Sequence, residues 1–206
     1  KEAETLDASD GDLSAGQQLV VAAYVKQAED AATRGDVVGI RAACDSAERY
    51  QAASDDLNPL RAAAFKAEGK QKEKSGDLSG AVAALKEAVK LNSGLGLKTE
   101  RAVLHVKLGE QAVAKQDYAA AATELDAALA LDKSVSEVVE LAASVAAPLM
   151  AAFENDASAD NQAAAIVPLD VVASVDPQNS EMAALRGRLV ATVIKRGEAM
   201  SATDLD

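Results

Sequence analysis

Apolar residues recur with a helical period along nearly the whole chain, in blocks separated by short turn signals. The pairs Gly35-Asp36, Gly76-Asp77, Gln116-Asp117 and Asp160-Asn161 each precede a block with the same pattern. Aligned on these turns, Ile40, Ala81, Ala121 and Ala165 fall in register, followed by Cys44, Leu85, Leu125 and Leu169. Ala47, Ala88, Ala128 and Val172 form the next column, and Tyr50, Leu91, Leu131 and Val175 the last. Steps of four, three and three residues place each set on one helical face. The copies are offset by 41, 40 and 44 residues, and an agreement in both residue size and spacing marks an internal repeat.

The segment ahead of each turn has its own matching pair one helical turn apart: Tyr24 and Ala28, Phe65 and Gly69, His105 and Gly109, Leu149 and Phe153. Ser14-x-x-Gln17 and Ser134-x-x-Glu137 read as capping boxes, and Asn58-Pro59 as a cap followed by Pro at the first helical position. Nine helices are predicted, near 13–34, 37–53, 59–74, 78–92, 97–115, 118–131, 135–156, 161–175 and 178–200. Short loops make successive helices antiparallel neighbours. The expected organisation is a flexible acidic leader over 1–12, four helical hairpins over 13–177, and a C-terminal capping helix with its tail over 178–206. Pro148 and Pro168 fall inside both helices of the fourth copy and should kink or interrupt them.

Composition sharpens the fold class. Hydrophobic residues make up 49% but aromatics only 2%, with no Trp, and alanine supplies roughly a quarter of the chain, well above ordinary usage. Alanine is the strongest helix former and fills little volume, so an all-α fold with closely approaching helices follows. Net charge is −12, which disfavours nucleic acid as a partner. That charge is uneven: residues 1–58 carry −7, residues 59–116 carry +5 and residues 117–206 carry −10. Cys44 is the only cysteine and His105 the only histidine, too few for an internal disulfide or a Cys/His zinc site. No uninterrupted apolar run reaches the ~20 residues that span a bilayer, so no direct membrane insertion is expected. The chain opens on Lys1 rather than Met, which leaves exported, organelle-imported and cytoplasmic locations all open.

With these columns in place, the chain resembles the tetratricopeptide-repeat family. Residues 102–133 carry the resemblance best, through Leu108-Gly109, Asp117-Tyr118, Ala121, Leu125, Ala128 and Leu131. Residues 62–93 follow, through Phe65, Gly69, Gly76, Ala81, Leu85, Ala88 and Leu91. The family repeats every 34 residues, so these copies are longer, and only Pro177 fits its closing proline. The resemblance implies a right-handed stack of antiparallel hairpins whose first helices line a concave, partner-binding groove.

Lys66, Lys70 and Lys74 follow at i, i+4 and i+8 in the third predicted helix, on the face that the resemblance assigns to this groove. A solvated charged surface is one reading of this stripe, and a docking site for an acidic protein segment is the other. In the second reading Ala63, Val103 and Val106 add apolar contacts, and Glu110 belongs to the same surface. No nucleotide-binding, metalloprotease or nucleophile-elbow motif occurs. Cys44 sits in a core column and His105 in the aromatic column, both as expected for packed structural residues. Asp7 to Asp12 has neither the ligand order nor the closing Glu of a calcium loop. The expected function is a non-enzymatic scaffold or adaptor that docks a partner segment, without metal or cofactor. The alternative is a permanent structural subunit of a larger multiprotein assembly.

Overall fold

The computed structural model describes residues 10–155, 159–175 and 177–203, and these are all-helical, with no strand among them. Nine α-helices follow in order: α1 (Asp10–Arg34), α2 (Val37–Arg49), α3 (Ser54–Lys74), α4 (Leu78–Leu91), α5 (Lys98–Ala114), α6 (Tyr118–Leu131), α7 (Ser136–Asn155), α8 (Ala159–Val175) and α9 (Ser180–Thr203). A single 3₁₀ turn, Ser93–Leu95, follows α4. The chain divides into two compact units, residues 1–97 and 98–206.

Within the first unit α1 pairs with α2 and α3 with α4, while α3 also packs on both α1 and α2. Within the second, α5 pairs with α6 and α7 with α8. There α7 packs on both helices of the preceding hairpin, and α9 lies against α7 and α8.

Three of the four predicted columns are core. Ile40, Ala81, Ala121 and Ala165 are fully buried, as are Ala47, Ala88 and Ala128. Cys44, Leu85, Leu125, Leu169 and Val172 are at most 3% exposed. The last column lies at the core's edge: Tyr50 is exposed, Leu91 is half-buried, and Leu131 is half-buried against the core of the second unit. The small residues Ala28, Gly69 and Gly109 are buried as well. A Cβ on Gly69 would lie 2.8 Å from Leu85 Cδ2, and one on Gly109 would lie 2.5 Å from Leu141 Cδ2. These are sites where a neighbouring leucine occupies the space of the missing side chain.

The turns inside the first three hairpins share one construction. Gly35, Gly76 and Gln116 adopt positive φ of 68°, 84° and 61°. The next residue's N–H reaches back to the Ala31, Lys72 and Ala112 carbonyls, closing a Schellman motif. That residue is Asp36, Asp77 or Asp117, whose carboxylate accepts from the N–H of Gly39, Gly80 or Ala120 and caps the following helix. Only the third copy places a side chain in the left-handed region, where a residue with a Cβ is strained by about 1 kcal/mol. Gln116→Gly is therefore expected to stabilise the second unit by about that amount, measured by urea unfolding.

A second recurrence escaped the sequence reading. Asn92 and Asp132 end α4 and α6 with extended backbones, and each side chain accepts from the N–H two residues on, Gly94 or Ser134. Asp132 also accepts from Thr99 on α5, and the Ser134 and Thr99 hydrogen bonds hold its carboxyl down at about 2.

Several start signals misplace a boundary. The helix read from the Ser14 box begins at Asp10, which puts Asp10–Asp12 of the expected leader inside α1; residues 1–9 lie outside the described residues. Pro59 is the sixth residue of α3, because Asp55 and Asp56 favour an earlier first turn at the positive helix end. It is exposed and forgoes one intrahelical bond there. The Ser134–Glu137 box does not form, since Asp132 engages Ser134 and Glu137 accepts from Ser136. Asp160-Asn161 is not a turn but part of the first turn of α8. Pro148 and Pro168 lie within α7 and α8 without interrupting either helix.

The cores of the two units differ in content. The cluster packed around α1 and α2 in the first is mostly alanine, with Ile40 and Leu57 its largest buried members. The second buries Phe153, Met150, Leu125, Leu169, Val138 and Val145. Its α7 is the one helix among the described residues long and apolar enough to cross a membrane, at a mean hydropathy of 1.4. Here eight of its side chains, from Val138 to Phe153, are buried in the unit.

Candidate functional site

The outer face of α3 steps by three and four residues through Asp56, Pro59, Ala63, Lys66, Lys70 and Lys74. Its ends carry opposite charge, with Asp55 and Asp56 in the first turn and Lys72 and Lys74 in the last, an order that suits the helix dipole. Lys70 and Lys74 are exposed, whereas Lys66 and Ala63 are half-buried. The opposite face of α3 is occupied by contacts with α2. Arg41 donates to Glu68 at 2.5 Å and lies 5.3 Å above the Phe65 ring, and Arg61 donates to Glu48 at 2.7 Å. Lys72 turns to Glu68 and Asp77, at 3.4 and 3.9 Å, so it belongs to this paired side. The three stripe lysines thus share a face distinct from the one bound to α2.

The other residues expected on the lysine surface belong to α5, in the second unit. Glu110 is exposed and Val103 half-buried against the core. Val106 is 1% exposed and packs in the core itself, so its methyl groups offer a partner no surface. The reason is that α5 is covered by both α6 and α7, which widens its buried face to take in Ala102, Leu104, Val106 and Gly109.

A cleft of about 760 Å³ lies in the first unit, lined by α1, the N-terminal half of α3 and the α2–α3 connection. Val21, Val25, Pro59 and Leu60 supply apolar walls, and Tyr50 stacks on Tyr24 with ring centres 5.9 Å apart. Glu29, Asp55 and Asp56 are on its rim, and no basic side chain lines it. None of these three carboxylates has an ion pair among the described residues. Reading the chain helix by helix could not reveal this cleft, because its walls come from segments some forty residues apart.

A second cleft of about 600 Å³, between α6 and α8 in the other unit, is lined by Tyr118, Pro148, Val167 and Pro168, with Asp126 at its edge. Partial burial pushes the Asp126 carboxyl up.

The one cysteine and the one histidine both lie in packed surroundings. Cys44 is 1% exposed, and burial pushes its thiol up. His105 is half-buried on α5, with Nδ1 2.6 Å from Glu124 Oε2 on α6, and so ties that hairpin together. Among the described residues no group of three or more His, Cys, Asp or Glu side chains is placed to hold a metal ion.

On α9, Met182 and Leu185 are buried and Arg188 forks onto Glu154 of α7. Val190 and Ile194 are each 55% exposed and Val193 is 38% exposed, so the distal half of the expected capping helix presents an apolar stripe. No family model matches the chain, and comparison with curated proteins and with solved structures finds no significant match.

Proposed function

We propose that this chain is a non-enzymatic protein–protein interaction module whose hairpins stack in the manner of tetratricopeptide repeats and which docks an acidic partner segment. The observation that carries the reading is that Lys66, Lys70 and Lys74 share one face of α3, turned away from the side that packs on α2. The recurring Gly/Gln-Asp turn, the recurring columns and, within each unit, the packing of the second hairpin's first helix on both helices of the hairpin before it support the repeat character. Docking rests on the α3 residues alone, since Val106 is core and Val103 and Glu110 lie in the other unit. Cations on an exposed face accelerate the encounter with an acidic segment, and salt weakens that attraction.

The test is capture of a partner from the native source by the natural chain and by a Lys66→Glu/Lys70→Glu/Lys74→Glu variant, at low and high salt. The expected result is a partner retained by the natural chain at low salt. It is lost from the variant by about tenfold or more, which corresponds to about 1.4 kcal/mol. Circular dichroism checks that the variant folds, and because Lys66 is half-buried while Lys70 and Lys74 are exposed, a Lys70→Glu/Lys74→Glu variant should show the same direction of loss with an unchanged spectrum.

A permanent structural subunit is the second reading, and the exposed Val190, Val193 and Ile194 on α9 favour it. An apolar stripe of this kind suits a fixed, apolar interface better than a transient one. In that case the partner stays on both chains through high salt.

A further inference from the structure

We infer that the cleft between α1 and α3 is a second docking site, which takes a basic amphipathic helical segment of a partner protein. The inference shares the interaction-module reading but does not depend on the lysine face. The cleft runs from Gln17 to Glu29 along α1, about 18 Å of helix, which matches a partner helix of roughly a dozen residues. Val21 and Val25 line the cleft floor from α1, Pro59 and Leu60 from α3, and Tyr50 from the end of α2. This floor suits apolar side chains spaced i, i+3, i+4 and i+7.

Charge selects the occupant. Glu29, Asp55 and Asp56 rim the cleft without an ion pair among the described residues, and no lysine or arginine lines it. The N-terminal dipole of α3 accounts for Asp55 and Asp56 as helix-stabilising residues. It does not account for Glu29, which sits on α1, four residues beyond Val25 and on the same face. An acidic helix in this cleft would meet three like charges, whereas Lys or Arg flanking an apolar face would meet three complementary ones.

The chain has no Trp, so a single Trp on the apolar face of a synthetic helix reports its own burial. The probe is a 14-residue Leu/Ala/Lys peptide, and its counterpart carries Glu for Lys. The expected result is a blue-shifted, saturable signal from the Lys peptide and none from the Glu peptide. A Glu29→Gln/Asp55→Asn/Asp56→Asn variant should bind the Lys peptide about tenfold more weakly. An Asp126→Asn/Glu140→Gln/Glu181→Gln variant has the same net charge and should bind it within about threefold of the natural chain. Equal losses in the two variants would assign the binding to bulk negative charge and overturn the inference, as would absence of binding to the natural chain.

Hydrogen exchange on the natural chain gives a readout free of any folding defect. Protection on adding the Lys peptide should centre on residues 17–29 and 50–60, and protection centred elsewhere also overturns the cleft assignment. A Lys70→Glu/Lys74→Glu variant should keep Lys-peptide binding. Loss of the cleft with retention of the lysine-dependent partner removes this inference alone, whereas failure of both removes the interaction-module reading.

Discussion

Phe153→Ala is expected to destabilise the second unit by about 3–5 kcal/mol, the largest single effect foreseen for this chain. Phe153 is fully buried at the end of α7 and is one of only two phenylalanines. Its neighbours in the core are largely Ala, Val and Leu, which cannot expand into the space it leaves. The cost therefore combines the lost transfer free energy with a persistent cavity. Urea unfolding followed by circular dichroism checks it, with a lower midpoint and an unchanged slope expected. A loss under about 1 kcal/mol would mean that α7 is not packed as described.

Ile40→Ala is the counterpart in the first unit, with an expected cost of about 2–5 kcal/mol. In the other copies the same column holds Ala81, Ala121 and Ala165, so alanine is compatible with the helix and the penalty is one of volume. The surrounding cluster, Ala28, Ala31, Ala43, Cys44, Ala47, Leu57 and Ala64, contains one large side chain besides Ile40 itself. The other large apolar side chains of α1 and α2 packed against it, Tyr24, Val25 and Val37, are only partly buried. Residue-resolved hydrogen exchange should show faster opening in α1 and α2, with α5–α8 less affected, because the residues packed around Ile40 all lie in the first unit.

The columns were legible because their physics is local. A face that steps by four, three and three and repeats behind an Asp cap needs only the helical period to be recognised, and residues such as Leu125 and Ala128 are buried accordingly. The helix starts were less legible where two local signals competed. Asn58-Pro59 is a good cap in isolation, yet the acidic pair Asp55-Asp56 supports a helix that begins at Ser54. The Gly/Gln-Asp turn was visible at three sites, but the Asn92 and Asp132 turns were not, since they share only an amide or carboxylate oxygen at the right place.

The site divides in the same way. The spacing of Lys66, Lys70 and Lys74 gave a common face that α3 preserves. The family resemblance that placed Val106 on a groove could not anticipate that two helices cover α5. The acidic cleft needed α1 and α3 brought side by side, which no short-range pattern encodes.

Hydrogen exchange of the natural chain with its captured partner bound tests the central claim most directly, because it reports where the partner sits without altering a residue. The account predicts protection along residues 63–74 of α3, with α9 unchanged. Protection confined to residues 189–197 of α9, with α3 exchanging as in the free chain, would contradict docking on the lysine face and identify the protein as a fixed subunit.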